Sequence, residues 1–231
     1  MLFASDPYVM LIGSLPAIGP LLSDKEPPIN RTRLYERLSM LEPQDRAELD
    51  ALISIVSWAA LDAGEDDAAF LERAERIVAA VRGEDLRRAA RDRLEIRTLI
   101  AALRRRHAGE DAPADGVRWG YGRYVEKIRA HWGEPDFGVG RMFPWVLAAR
   151  EKLEAGETTA LERIVLEAAW NSGTRHELGH AFDFDAVAFY LLRWSLNERW
   201  ARYDADAACA RFAALLDAAF AQNQPTFQAA A

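Results

Sequence analysis

The spacing of apolar residues along this chain predicts a series of amphipathic helices. In the first half, apolar positions recur every three or four residues, as one face of an α-helix requires. Pro43 and Gly83 interrupt this pattern and mark boundaries between helices. The spacing therefore predicts helices over residues 31–41, 43–60, 66–81 and 85–107.

The same helical spacing continues through the second half of the chain. It predicts helices over residues 124–132, 144–154, 158–170, 184–203 and 204–220. Asp183 stands directly before the fourth of these and is expected to cap its N-terminus. Because 184–203 contains neither glycine nor proline, it should form one rigid helix. Strand signals are almost absent after residue 20, so the predicted class is all-α, a bundle-like array of helices.

Two segments depart from the helical pattern. Residues 8–16 form an aromatic and β-branched run that ends in Gly, Ser and Pro, which predicts a short extended or β-like N-terminal lead. Residues 108–123 are rich in Gly, Ala, Asp and Pro and are the best candidate for a linker. They would separate an N-terminal helical half, 1–107, from a C-terminal helical half, 124–231. One continuous domain is the alternative.

Composition narrows the class of protein. The chain has 231 residues, of which 50% are hydrophobic and 28% charged, so it can bury a sizeable core. Its net charge of −7 argues against nucleic-acid binding. A single cysteine excludes an internal disulfide and fits a reducing compartment, so we expect a cytoplasmic protein. Its apolar runs fall short of the ~20 residues of a membrane span, so direct membrane insertion is not expected.

The sequence HELGH, at residues 176–180, matches the HExxH pattern of zinc metalloproteases. In that pattern, two histidines on one helical face bind zinc and the glutamate between them acts as general base. His176 and His180 would be the ligands here, and Glu177 the base. The alternative is that the histidines are ordinary polar residues at the start of a helix or in its lead-in loop.

A zinc site of this kind also needs a third ligand. Glu198 has a suitable separation in sequence, but a continuous helix over 184–203 would place it ~27 Å from His180. A metal site is therefore the less favoured interpretation, and we expect no cofactor and no catalytic activity. A zinc-dependent hydrolase remains the alternative function.

The predicted helix over 85–107 is rich in arginine and has few acidic residues. On a helical wheel, some of its arginines fall inside the apolar arc, where an unpaired charge would be costly. One interpretation is internal pairing with carboxylates. The other is a docking face for an acidic partner surface, for which the candidate residues are Arg93, Arg97, Arg104, Arg105 and Arg106.

Aromatic residues concentrate between Trp119 and Trp145. Tryptophan and tyrosine are favoured both in cores and at interfaces. Core packing is the simplest explanation for this cluster. A helical scaffold with a peptide groove lined by these aromatic residues is a further alternative.

Several stretches together resemble an uncharacterised bacterial family that is encoded beside V/A-type ATPases. The first is YVMLIGSLP at residues 8–16, followed by Pro28 and Ile29. The others are the arginine-rich stretch 97–106, PDFG at 135–138 with FPW at 143–145, and FDFDAV at 182–187 continuing to NERW at 197–200. This family is in turn distantly similar to the all-helical d-type protein that forms the socket of the central stalk in those ATPases.

The resemblance implies a non-catalytic helical protein whose partners are V/A-type ATPase subunits. It would act as a stalk component similar to the d-type socket, or as an assembly component. Its place would be the cytoplasm, peripheral to the inner membrane through the complex. Rotary coupling requires a rigid surface that holds another protein of the complex, and such a surface needs no acid–base pair.

Overall fold

A computed structural model describes residues 7–23, 26–57 and 66–222, with side chains described for 8–23, 26–57 and 66–203. These segments contain nine helices and no strand, which confirms the predicted all-α class. The helices are α1 (Pro7–Ser14), α2 (Arg31–Leu38), α3 (Pro43–Val56), α4 (Asp67–Ala80), α5 (Glu84–His107), α6 (Val125–Ala130), α7 (Trp145–Glu154), α8 (Thr158–Thr174) and α9 (Phe184–Gln222). The helix predicted over residues 43–60 corresponds to α3, and its predicted last residues, 58–60, lie outside the described residues.

The N-terminal lead is helical, so the prediction of an extended or β-like segment is wrong. Helix α1 buries Leu11 almost completely and packs Tyr8 and Ile12 against the same core. Apolar residues at these positions share one helical face, although a strand-like composition concealed that spacing. The helix ends before Pro16, whose ring disfavours helical backbone in the residue before it.

Helix α9 continues through the boundary that was predicted near residue 203. Asp183 caps its first turn, as predicted, because its carboxylate accepts a hydrogen bond from the Ala186 backbone N–H at 2.8 Å. The helix has 39 residues, which corresponds to about 58 Å. The predicted rigid helix over 184–203 is therefore present and longer than expected.

The buried apolar residues form two clusters that share α5. The first cluster joins α1–α4 with the first half of α5 and the start of α9, where Phe189 and Trp194 lie. The second joins the rest of α5 with α6–α8 and Leu196 of α9. Leu94 belongs to the first cluster and Ile96 to the second, so α5 passes from one to the other within two residues.

Residues 108–123, the predicted linker, form turns and irregular backbone. Trp119 within this segment is buried in the second cluster and contacts Trp132 edge to face, with ring centroids 5.9 Å apart. Helices α5 and α9 contact both clusters, and the proposed division of the chain at 108–123 stays a prediction.

No helix in the described segments combines the length and the apolar composition that would let it cross a lipid bilayer.

Candidate binding site

The HELGH sequence lies in the connection between α8 and α9. Helix α8 ends at Thr174, and the residues from 175 to 183 form turns and bends before α9 begins. Gly179 has a φ of +99°, a left-handed conformation that favours glycine and breaks helical geometry. The two histidines therefore do not share a helical face, and they occupy the lead-in loop of α9.

His176 points towards α5. Its Nε2 lies 3.0 Å from Oδ2 of Asp92. The same carboxylate oxygen accepts a hydrogen bond of 3.1 Å from the hydroxyl of Ser172, which is buried near the end of α8. Asp92 thus connects the middle of α5 with the C-terminal end of α8.

His180 contacts a different group of carboxylates, nearer the start of α5. Its Nδ1 lies 2.8 Å from Oδ2 of Asp183, and its Nε2 lies 3.3 Å from Oδ2 of Asp85. The hydrogen bond to Asp183 is the main cause that raises the pKa of His180. Asp185, at 3.9 Å, is buried, and burial raises the pKa of its carboxyl group. His180 therefore links the α8–α9 connection to α5.

The remaining members of the predicted zinc motif also have partners within the chain. Glu177 forms an ion pair of 3.0 Å with Arg193 of α9. Glu198, the third ligand considered from the sequence, pairs instead with Arg31 of α2 at 2.7 Å. Among the described residues, no three His, Cys, Asp or Glu side chains form a group that could hold a metal ion. The arrangement joins helices through ion pairs.

Two of the five candidate docking arginines pack inside the protein. The guanidinium of Arg97 lies over the ring of Phe70, 3.6 Å from its centroid. Arg93 is enclosed between α5, α8 and α9, and this burial lowers its pKa to about 9. Both arginines therefore contribute to the contacts between helices.

The other three candidates lie in the last turn of α5. Arg105 pairs with Asp67 of α4 at 2.6 Å. Arg106 donates hydrogen bonds to the carbonyl oxygens of residues 132, 134 and 135 and lies 4.0 Å from the ring centroid of Phe137. Arg104 is exposed. These contacts fit the internal-pairing interpretation of the arginine-rich helix.

Aromatic residues line a cleft of about 660 Å³ between α5, α8 and the start of α7. Tyr124, Phe143 and Trp145 form one wall. The ring centroids of Tyr124 and Phe143 are 5.3 Å apart, and those of Phe143 and Trp145 are 6.4 Å apart. Ala148 and Ile164 continue this wall along α7 and α8. The cleft matches the sequence-based alternative of a groove lined by aromatic residues.

A second wall of the cleft is charged, and it adjoins the aromatic wall where the guanidinium of Arg123 lies over the ring of Tyr124, 5.3 Å from its centroid. Asp92, Glu95, Arg123 and Arg175 line it, and the same four residues line an adjoining cavity of about 740 Å³ that also contains His176. The two cavities therefore meet at these side chains and form one continuous depression along α5.

Both carboxylates of this wall are satisfied by partners within the chain. Glu95 has a side chain only 5% exposed, and it accepts hydrogen bonds from Nε and NH2 of Arg123 at 3.0 and 3.2 Å. It also accepts one from the Arg123 backbone N–H at 3.0 Å. Asp92 is held by His176 and Ser172, as described above.

The arginines of this wall remain accessible. The side chain of Arg123 is 71% exposed, and that of Arg175 is 70% exposed. Arg123 approaches one oxygen of Asp92 at 3.9 Å, and Arg175 approaches the other at 3.7 Å, both longer than hydrogen bonds. Both side chains line the cleft and are largely exposed, so an anionic group could bind to them there.

Sequence reasoning singled out His176 but missed the residues around it. Asp92 and His176 are 84 residues apart, and no local spacing connects them. Glu95 lies on the arginine-rich helix, and Arg123 is at the end of the predicted linker. Glu95 could have been noticed as a carboxylate on the apolar side of an amphipathic helix, because a buried charge there requires a partner.

No protein-family model, curated protein or solved structure matches this chain. The resemblance to the family encoded beside V/A-type ATPases therefore rests on the sequence stretches given above. It remains an expectation about function.

Proposed function

We propose that this protein is non-catalytic and docks onto a V/A-type ATPase, as a stalk component similar to the d-type socket or as an assembly component. The observation that carries the proposal is the cleft between α5, α7 and α8, which combines an aromatic wall with accessible arginines. Aromatic residues and arginine are the side chains most enriched where proteins bind one another. The protein would lie in the cytoplasm, at the inner membrane through this complex.

The contacts of the HELGH residues support a structural function for that segment. His176, Glu177 and His180 each bind a charged side chain of α5 or α9. They hold the α8–α9 connection against the helix that crosses both hydrophobic clusters. A docking protein needs this rigidity, because a partner is positioned only as firmly as the surface that holds it.

Four of the five candidate docking arginines make contacts within the chain, so we do not place the proposed interface on them. They are Arg93, Arg97, Arg105 and Arg106. Arg104 is the exposed member of the original set, so the variant Arg104→Glu tests whether the arginine-rich helix also contributes to partner binding. The charged wall of the cleft is the principal interface in this proposal.

The test is co-purification from the native organism. The chain would carry a C-terminal affinity tag and be isolated at low ionic strength from gently solubilised membranes. We expect V/A-type ATPase subunits at constant stoichiometry, retained by Arg104→Glu. A tagged unrelated helical protein of similar charge is the control. If V/A-type ATPase subunits are no more abundant than in that control, the proposed function is wrong.

A further inference from the structure

We propose that the cleft binds a short segment of a partner protein in which an acidic residue stands beside a large apolar side chain. This inference rests on the proposed function and specifies the chemistry of the partner. The apolar side chain would occupy the aromatic half of the cleft, and the carboxylate would bind between Arg123 and Arg175.

The aromatic half has the shape and composition of an anchor pocket. Tyr124, Phe143 and Trp145 are each partly exposed, so part of each ring is available to a ligand while the rest packs against the second cluster. Met142, at 38% exposure, lies at the edge of the same wall. An aromatic or large aliphatic side chain that entered here would exchange water for ring contacts.

The exposed arginines of the charged half favour an acidic group. Arg123 is bound on one side by Glu95, which fixes the guanidinium in place while most of its surface stays exposed. Arg175 lies across Asp92 from it. A fixed guanidinium loses little freedom when it binds a carboxylate, and its planar N–H groups suit that partner.

The carboxylates of the cleft do not cancel this preference. Glu95 is buried and fully engaged with Arg123, and Asp92 already accepts hydrogen bonds from Ser172 and His176. Glu167 also lines the cleft, but it pairs with Arg163 at 2.9 Å. At the adjoining cavity Arg91 adds positive charge, whereas Arg88 is paired with Glu84 and Asp85, and Glu75 is held by Arg118. The guanidinium of Arg175 is exposed and, at 3.7 Å from Asp92, makes no hydrogen bond to it, so this end of the cleft favours an acidic group.

The experiment begins with phage display of random 12-residue peptides against the purified full-length chain. We expect enrichment of sequences with Asp or Glu next to Trp, Phe or Leu. The most enriched peptide is then synthesised with a fluorescein label, together with a version whose acidic residues are changed to amides. Fluorescence anisotropy measures both, and the amide version should bind at least tenfold more weakly.

Two variants of the chain test the two halves of the cleft separately. Arg175→Glu reverses a charge on a side chain that is 70% exposed, so folding should be preserved. Ala148→Trp fills the aromatic half from an exposed position on α7. Each should weaken binding at least tenfold. Arg33→Glu is the control, because it makes the same charge change on an exposed position of α2, which does not line the cleft.

The inference is overturned if no acidic–apolar peptide is enriched, or if neither cleft variant weakens binding more than Arg33→Glu. It is also overturned if inorganic phosphate occupies the cleft while peptides do not bind, since the site would then serve a free anion. Failure of ATPase co-purification with intact peptide binding would refute only the proposed function. The reverse result, a retained ATPase complex with Arg175→Glu and Ala148→Trp, would refute this inference and the cleft as the interface, and would leave the association with the ATPase standing.

Discussion

Replacing Arg123 by methionine should destabilise the protein because it leaves the Glu95 carboxylate buried without its counter-ion. The change removes two charge-assisted hydrogen bonds to Glu95, of 3.0 and 3.2 Å. The backbone N–H of residue 123 still donates a hydrogen bond to the Glu95 carboxylate. A hydrogen bond to a charged group contributes about 1.5–3 kcal/mol. Since the arginine is 71% exposed and water can partly replace it, we expect a loss of about 2 kcal/mol.

Urea denaturation at pH 7, followed by circular dichroism, measures this loss. With a slope of about 2–3 kcal/mol per molar urea, the midpoint should fall by about 0.7–1 M. Arg163→Met is the control, since its ion pair with Glu167 joins two exposed side chains of one helix. That variant should lose no more than about 0.5 kcal/mol.

A second substitution identifies the cause of the loss. Adding Glu95→Gln to Arg123→Met should restore more than half of the lost stability, because an amide at this position carries no charge to compensate. Its oxygen can still accept the backbone hydrogen bond of residue 123. If Arg123→Met costs no more than the control, or if Glu95→Gln recovers nothing, the buried-charge explanation is wrong.

Three further predictions concern the residues around the start of α5 and the α8–α9 connection. Gly83→Ala should destabilise the protein by about 1–3 kcal/mol, because the new Cβ would overlap the Asp185 carboxylate, whereas Gly173→Ala, with open space on α8, should stabilise it by about 0.5–1 kcal/mol. Equal effects in chemical denaturation would contradict this. The hydrogen bond to Asp183 raises the pKa of His180 above its ordinary value of 6.5, so its stabilising contribution is complete below that pH and is lost as the pH rises through the raised value. His180→Asn should therefore flatten the decline of thermal stability above pH 6.5, and an unchanged profile would refute the assignment. Protein purified without a histidine tag should contain no stoichiometric zinc by elemental analysis, because His176 and His180 bind separate carboxylates. Zinc that is lost on His180→Ala would contradict that expectation.

The sequence was sufficient to predict most of the helices and their order. The regular apolar spacing of α3, α4 and α5, and the capping position of Asp183, are local features that remain valid in the folded protein. Helix α1 was mispredicted because its β-branched and aromatic residues favour strands. Burial of Leu11 against the first cluster overrides that preference.

The candidate site was harder to predict because its contacts join distant parts of the chain. His176 could be identified, but its partner Asp92 is 84 residues away on a helix noted for its arginines. The accessibility of Arg123 and Arg175 also depends on how α5, α8 and the segment before α6 pack together. Periodicity shows which face of a helix is buried, and it does not show which helix covers that face.

The position of Asp92 and Glu95 on α5 has a mechanical consequence. They flank Leu94 at the point where this helix leaves one hydrophobic cluster and enters the other. A load applied by a bound partner at the cleft would thus reach both halves of the molecule through a single unbroken helix. Both hydrophobic clusters would therefore share that load through their packing against α5.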